Sequence, residues 1–179
     1  MPRLDDVRTF VVERLTLVLA VAVLLAAAGV GLAWWSAERG PAEMTPDGAL
    51  VGEEARTEVL VSAADLTQRA LSYSYESIES DMEVARARMT PTFRKEYDAT
   101  MEQVRANTEK NKIVLDAAVV SSAIIDATEK QAKVLVFLNQ TTTAGEGKDK
   151  NQQLIRNSLV IELRRDGGDW DLHQLDAIG

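Results

Sequence analysis

The chain contains no cysteine and one histidine, and it has only three each of Trp, Tyr and Phe. Without cysteine there are no disulfides and no thiolate metal ligands. The lone histidine, His173, and the lack of an Asp-x-Asp-x-Asp-Gly loop leave no ligand set for zinc or calcium, so no metal is expected. Basic residues are in deficit: 20 Lys and Arg stand against 28 Asp and Glu, a formal charge of −8. Such a surface repels phosphate backbones, which argues against a nucleic-acid partner. The segment Thr143-Ala144-Gly145-Glu146-Gly147-Lys148-Asp149 holds a Gly-Lys pair. It lacks the Gly-x-x-x-x-Gly-Lys-Ser/Thr spacing and falls between two strands, so it is not a nucleotide loop. No cofactor is expected.

What is present is a long uncharged run. From Leu15 to Ala37 nearly every residue is Leu, Val, Ala or Gly. As a helix rising about 1.5 Å per residue it reaches roughly 35 Å, enough for a hydrocarbon core of about 30 Å. A cleaved signal peptide is the competing reading, with Ala26, Ala27 and Ala28 as its cleavage region. Signal cores are shorter, however, at about 7–15 residues. The paired Trp34 and Trp35 also suit an interfacial anchor. Arg3, Arg8 and Arg14 precede the run and Arg39 follows it, which puts the N-terminus in the cytoplasm and the remainder outside, in a single-pass inner-membrane topology. Ala22, Ala26, Gly29 and Ala33 share one face, a candidate packing surface for another membrane helix.

The organisation expected is a cytoplasmic segment at 1–14, a transmembrane helix at 15–37, a linker at 38–52 rich in Gly and Pro, and an extracytoplasmic domain at 53–179. Val59, Ala63, Leu66, Ala70 and Tyr73 recur at helical spacing. A second helix is expected near Ser80, with Glu83 closing a capping box. Thr90-Pro91 starts a third, lined by Phe93, Tyr97, Met101 and Val104 and ending by about Asn111. The period then changes to that of strands: Ile113 to Ile125, Ala132 to Thr143, Leu154 to Arg165 and Trp170 to Ile178. In the third, Ile155, Leu159, Ile161 and Leu163 face one way, with Asn157 and Val160 breaking the pattern. Asp166-Gly167-Gly168-Asp169 is a hairpin turn. Helices first, then four consecutive strands, give an α+β domain of about three helices on a curved four-stranded antiparallel sheet. This arrangement resembles the cone-like fold of nuclear transport factor 2 and its relatives. Leu66, Tyr73, Phe93, Tyr97, Phe137 and Trp170 are the candidate cone core.

A short N-terminal segment and single span are followed by Ala70-Leu71-Ser72-Tyr73-Ser74-Tyr75 with Asp81, and by Met89-Thr90-Pro91-Thr92-Phe93-Arg94-Lys95-Glu96-Tyr97. Ala132-Lys133-Val134-Leu135-Val136-Phe137-Leu138-Asn139-Gln140 and the terminal Gly168-Asp169-Trp170-Asp171-Leu172 complete the series. In these stretches and their order, nearly the whole chain resembles the Mce-associated membrane proteins of actinobacteria, mycobacteria included. The resemblance implies a non-catalytic accessory subunit that stabilises or regulates a Mce-type complex moving lipids such as fatty acids or sterols across the envelope. The partners it implies are the membrane, permease and substrate-binding chains, and related Mce-associated chains. The domain also resembles that of type IV secretion assembly factors.

Two other function classes are weighed against this. One is a membrane-anchored lipid- or small-ligand-binding domain with the cone mouth as its pocket. The other is an isomerase-type enzyme, which needs a general acid or base in a dry pocket. Its candidates are His173, Asp116, Tyr73, Tyr75 and Tyr97. Parity along the last strand puts His173 with Asp171 on a solvated face, and the tyrosines read as core.

Overall fold

Alternation along the second half of the chain decides the architecture. A computed structural model describes residues 52–145, 147 and 150–178. The proposed span at 15–37, with Trp34, Trp35, Ala22, Ala26, Gly29 and Ala33, lies outside the described residues. Among the described residues no helix is long and apolar enough to cross a membrane.

Among the described residues three helices come first: α1 (Glu53–Leu71), α2 (Ile78–Arg86) and α3 (Pro91–Asn111). Helix α1 buries Val59, Ala63, Leu66, Thr67 and Ala70, the apolar stripe read from the sequence with Thr67 beside it. It stops at Ser72, whose backbone turns extended. Tyr73 therefore leaves the helical stripe and opens a two-residue strand, β1 (Tyr73–Ser74). Helix α2 begins three residues earlier than Ser80 suggests. The expected Ser80–Glu83 capping box is not used. Instead the Asp81 carboxylate accepts from the Ser77 hydroxyl at 2.8 Å and the Ser74 N–H at 3.0 Å, tying β1 to the helix start. Thr90 caps α3, its hydroxyl accepting from Phe93 N–H at 3.5 Å, with Pro91 at the first helical position. Lys112 closes that helix in the left-handed conformation (φ 52°).

The strands are β2 (Val114–Ala127), β3 (Gln131–Ala144), β4 (Asn151–Arg165) and β5 (Trp170–Ile178). With β1 they form one antiparallel sheet in the order β1-β2-β3-β4-β5. The sheet has five strands where the sequence suggests four, because a two-residue strand has too little alternation to be read. Extra residues at Val120 and Ile125 in β2 and at His173 in β5 shift the register. Such bulges increase the local twist and help curl the sheet.

The helices fill the concave face. Val134, Val136 and Leu138 of β3 point inward beside Leu159, Ile161 and Leu163 of β4, together with Trp170 and Leu172 of β5. Leu66, Phe93 and Tyr97 are buried in the same cluster, and Tyr73 packs against it half-buried. Phe137 does not belong to it. Its neighbours Val136 and Leu138 point inward, so period-two alternation sends Phe137 to the convex face, where it is 43% exposed. The expected alternation of β4 is present: Asn157 is the polar residue on the inner row, donating to Gln140 Oε1, and Val160 is the apolar residue on the outer row.

Candidate binding surface

The interior of the cone is occupied by side chains. Trp170, Met82, Leu138, Ile161, Leu163 and Leu172 are all essentially solvent-free. The titratable groups near this core are engaged structurally. Burial pushes the Tyr97 phenol up to about 12; Arg86 partly offsets this, while Tyr73, Asp98 and Asp81 reinforce it. A phenol that holds its proton this strongly is a poor base near neutral pH. Burial also raises Tyr73, partly offset by the nearby Thr108 side chain. His173 is half-buried in its bulge, with Nδ1 3.0 Å from Thr90 Oγ1, rather than standing on a solvated face. Tyr75 hydrogen-bonds Glu76 and carries Lys112 over its ring. Asp116 is exposed and lines a shallow, open groove between α1 and β2 with Asp65, Gln68, Arg69 and Ser72. Among the described residues no group of three His, Cys, Asp or Glu could hold a metal.

The outside of the cone offers a more distinctive surface. On the convex face the register lines up Ser121, Phe137, Ser158 and Ile178 in one row and Ala123, Leu135, Val160 and Asp176 in the next. Phe137, Ile178 and the two bulge residues Val120 and Ile125 are exposed. The patch is bordered by charge. Lys133 Nζ lies 2.9 Å from Glu162 Oε1, and Asp126 stands opposite Lys133. Single exposed apolar residues are ordinary, whereas several adjoining ones with a polar rim mark interaction surfaces. Of this patch the sequence reading placed Phe137 inside and marked Val160 only as a break in the β4 pattern. The signal that finds the patch is strand parity combined with the bulges, and bulge positions are not visible in a sequence.

No family model matches the chain. It is 31% identical over 125 residues to outer membrane protein Rv1973 of Mycobacterium tuberculosis, covering 69% of this chain and 76% of that relative. It is 30% identical over 112 residues to an uncharacterized protein of the same species, Rv1362c, covering half of that longer chain. Among solved structures it is similar to the periplasmic domain of DotI, with a TM-score of 0.55 at 14% identity over 72% of this chain and 96% of that one. It is also similar to CagV, a VirB8 homolog from the type IV secretion system of Helicobacter pylori, with a TM-score of 0.54 at 10% identity over 69% of this chain and 99% of that one. At these identities the structural likeness establishes the fold. The sequence likeness goes further: the chain belongs to the family of the mycobacterial outer membrane protein Rv1973.

Proposed function

We propose that the protein is a non-catalytic accessory subunit of the cell envelope that stabilises or regulates a Mce-type lipid-transport complex. In this reading the uncharged run at 15–37 anchors it in the inner membrane and the cone domain works in the periplasm. The observation that carries the proposal is the division of the cone: its interior is filled, and its convex face bears a rimmed apolar patch around Phe137. Binding energy is available outside, where another chain can cover it. The fold supports the periplasmic placement, since DotI supplies a periplasmic domain of the same shape. The family supports an envelope setting, since its mycobacterial member is named an outer membrane protein. The resemblance to Mce-associated proteins supplies the type of complex. Permease and substrate-binding chains, or related Mce-associated chains, are the partners it implies.

A mild-detergent pull-down of the C-terminally tagged chain from its native membrane tests this, with mass spectrometry of what accompanies it. Recovery of permease and substrate-binding chains in fixed ratio is expected, and the double substitution Val120→Ser, Phe137→Ser should lower that recovery. Recovery of the tagged chain alone overturns the proposal.

A further inference from the structure

Sheet edges carry unpaired backbone N–H and C=O groups, and folded proteins protect them. Two stretches of this sheet's edges are protected. At the β2 edge, Ala117 N–H donates to Ser72 Oγ at 3.0 Å and Val119 N–H donates to Gln68 Oε1 at 3.1 Å, so side chains at and just past the end of α1 cap what β1 leaves open. Further along β2, the bulges at Val120 and Ile125 interrupt the ladder. The start of the β5 edge is met at Leu172 by the segment Arg88–Thr90. Thr90 N–H donates to the Leu172 carbonyl and Leu172 N–H to the Arg88 carbonyl, both at 2.9 Å, in a parallel bridge of Met89 with Leu172.

One edge differs. Strand β5 begins to pair with β4 at Ser158. The seven residues before it, Asn151 to Asn157, pair with β3 on one side and with no described residue on the other. At about 3.4 Å per residue this is an edge of about 24 Å. It contains no proline, no bulge and one charge, Arg156. Asn151 to Arg156 are all exposed, on both faces of the strand. Leu154 is 57% exposed on the convex side and Ile155 37% on the concave side.

We propose that this edge pairs with the same edge of a second copy of the chain, antiparallel about a two-fold axis through Leu154. The argument for a second copy is self-complementarity. In that register Leu154 meets Leu154, Gln153 meets Ile155, Gln152 meets Arg156 and Asn151 meets Asn157, with side chains opposed on matching faces. Opposed like charges destabilise a strand pair, and this register has none, because Arg156 falls on an amide. Two copies of a chain with a charge of −8 repel over much of their surface. A stretch with a single cation is where they approach at least cost. A seven-residue edge is small beside the about 1,200 Å² of a stable interface, so the pair is weak and concentration-dependent. The inference stands apart from the lipid-transport reading, which concerns the convex patch and other chains.

Because the chain has no cysteine, one introduced thiol reports one contact. The test is oxidative cross-linking of full-length Leu154→Cys in its native membrane, read as doubled mass on a non-reducing gel. Val61→Cys on α1, exposed and away from the edge, is the reference. A Leu154→Cys homodimer forming about tenfold faster than the reference is expected, given the high effective concentration of paired residues. Gln152→Cys should cross-link slowly alone and rapidly when co-expressed with Arg156→Cys. Leu154→Cys that stays monomeric, cross-links no faster than Val61→Cys, or joins a different protein overturns the proposal.

Discussion

Residues Ser158–Arg165 of β4 run between β3 and β5, and their inward side chains Leu159, Ile161 and Leu163 are buried under the helices. Residues Asn151–Asn157 of the same strand pair with β3 on one side and with no described residue on the other, and six of the seven are exposed. Both halves are β structure with a continuous ladder to β3. What separates them is coverage. One half lies under the helices and beside β5, and the other extends past both. Secondary structure alone therefore does not mark the stable part of this sheet. Stability follows the covered length, and the uncovered length is available to another chain.

The largest test of that comparison is a matched pair of truncations. Leu163→Ala removes a fully buried side chain and should cost about 2–5 kcal/mol, the range for leucine truncation in a packed core. Leu154→Ala, on the same strand, should stay within about 0.5 kcal/mol, as surface changes do. Chemical denaturation of the two variants checks this. Equal losses would mean that the uncovered half is covered in solution.

Next in size is the guard on the β5 edge. Thr90 caps α3 through Phe93 N–H, contacts His173 and donates its backbone N–H to Leu172. Thr90→Ala keeps the backbone bridge and loses the cap, which should cost about 1 kcal/mol. Serine at the same position should restore most of it. A Thr90→Ser variant as unstable as Thr90→Ala would locate the effect in methyl packing instead.

The same contrast explains what could be read in advance. The Thr90-Pro91 helix start, the strand bounds around Ala132 to Thr143 and the inner row of β4 were legible, because each depends on chemistry local to a few residues. Phe137 was misplaced because a run of five apolar residues hides its own parity, and only burial of Val136 and Leu138 resolves it. Tyr73 continued a helical stripe on paper. The chain leaves the helix at Ser72, where Ser72 and Gln68 bond the β2 edge, a contact made across more than forty residues. The edge at Asn151–Asn157 was legible only in part. The turn at 166–169 and a last strand at 170–178 bring Ile178 beside Ser158, but that Leu154 and Ile155 stay exposed depends on where the helices pack. The convex patch was hidden for a related reason, since it is assembled from four strands and two bulges.

The smallest expected effect lies on the covered half, at its convex surface. Asp176 stands opposite Val160, and its carboxyl is raised above the usual 3.8 mainly by partial burial. The Gln174 amide lowers it through a hydrogen bond, Glu162 raises it again and Lys133 lowers it. A carboxyl whose folded value is raised favours its protonated form in the fold. The cost of ionising it is absent below 3.8, appears as pH rises toward the folded value and is fully present above that. Asp176→Asn should therefore raise the unfolding midpoint slightly at neutral pH, with the gain shrinking as pH falls toward 3.8. The amide oxygen still accepts from Gln174, so the local hydrogen bond is kept. Thermal unfolding of both chains across that window reads the difference. A gain that persists unchanged to acid pH would show that charge at Asp176 is not its source, and would remove the partial burial of its carboxyl as the cause.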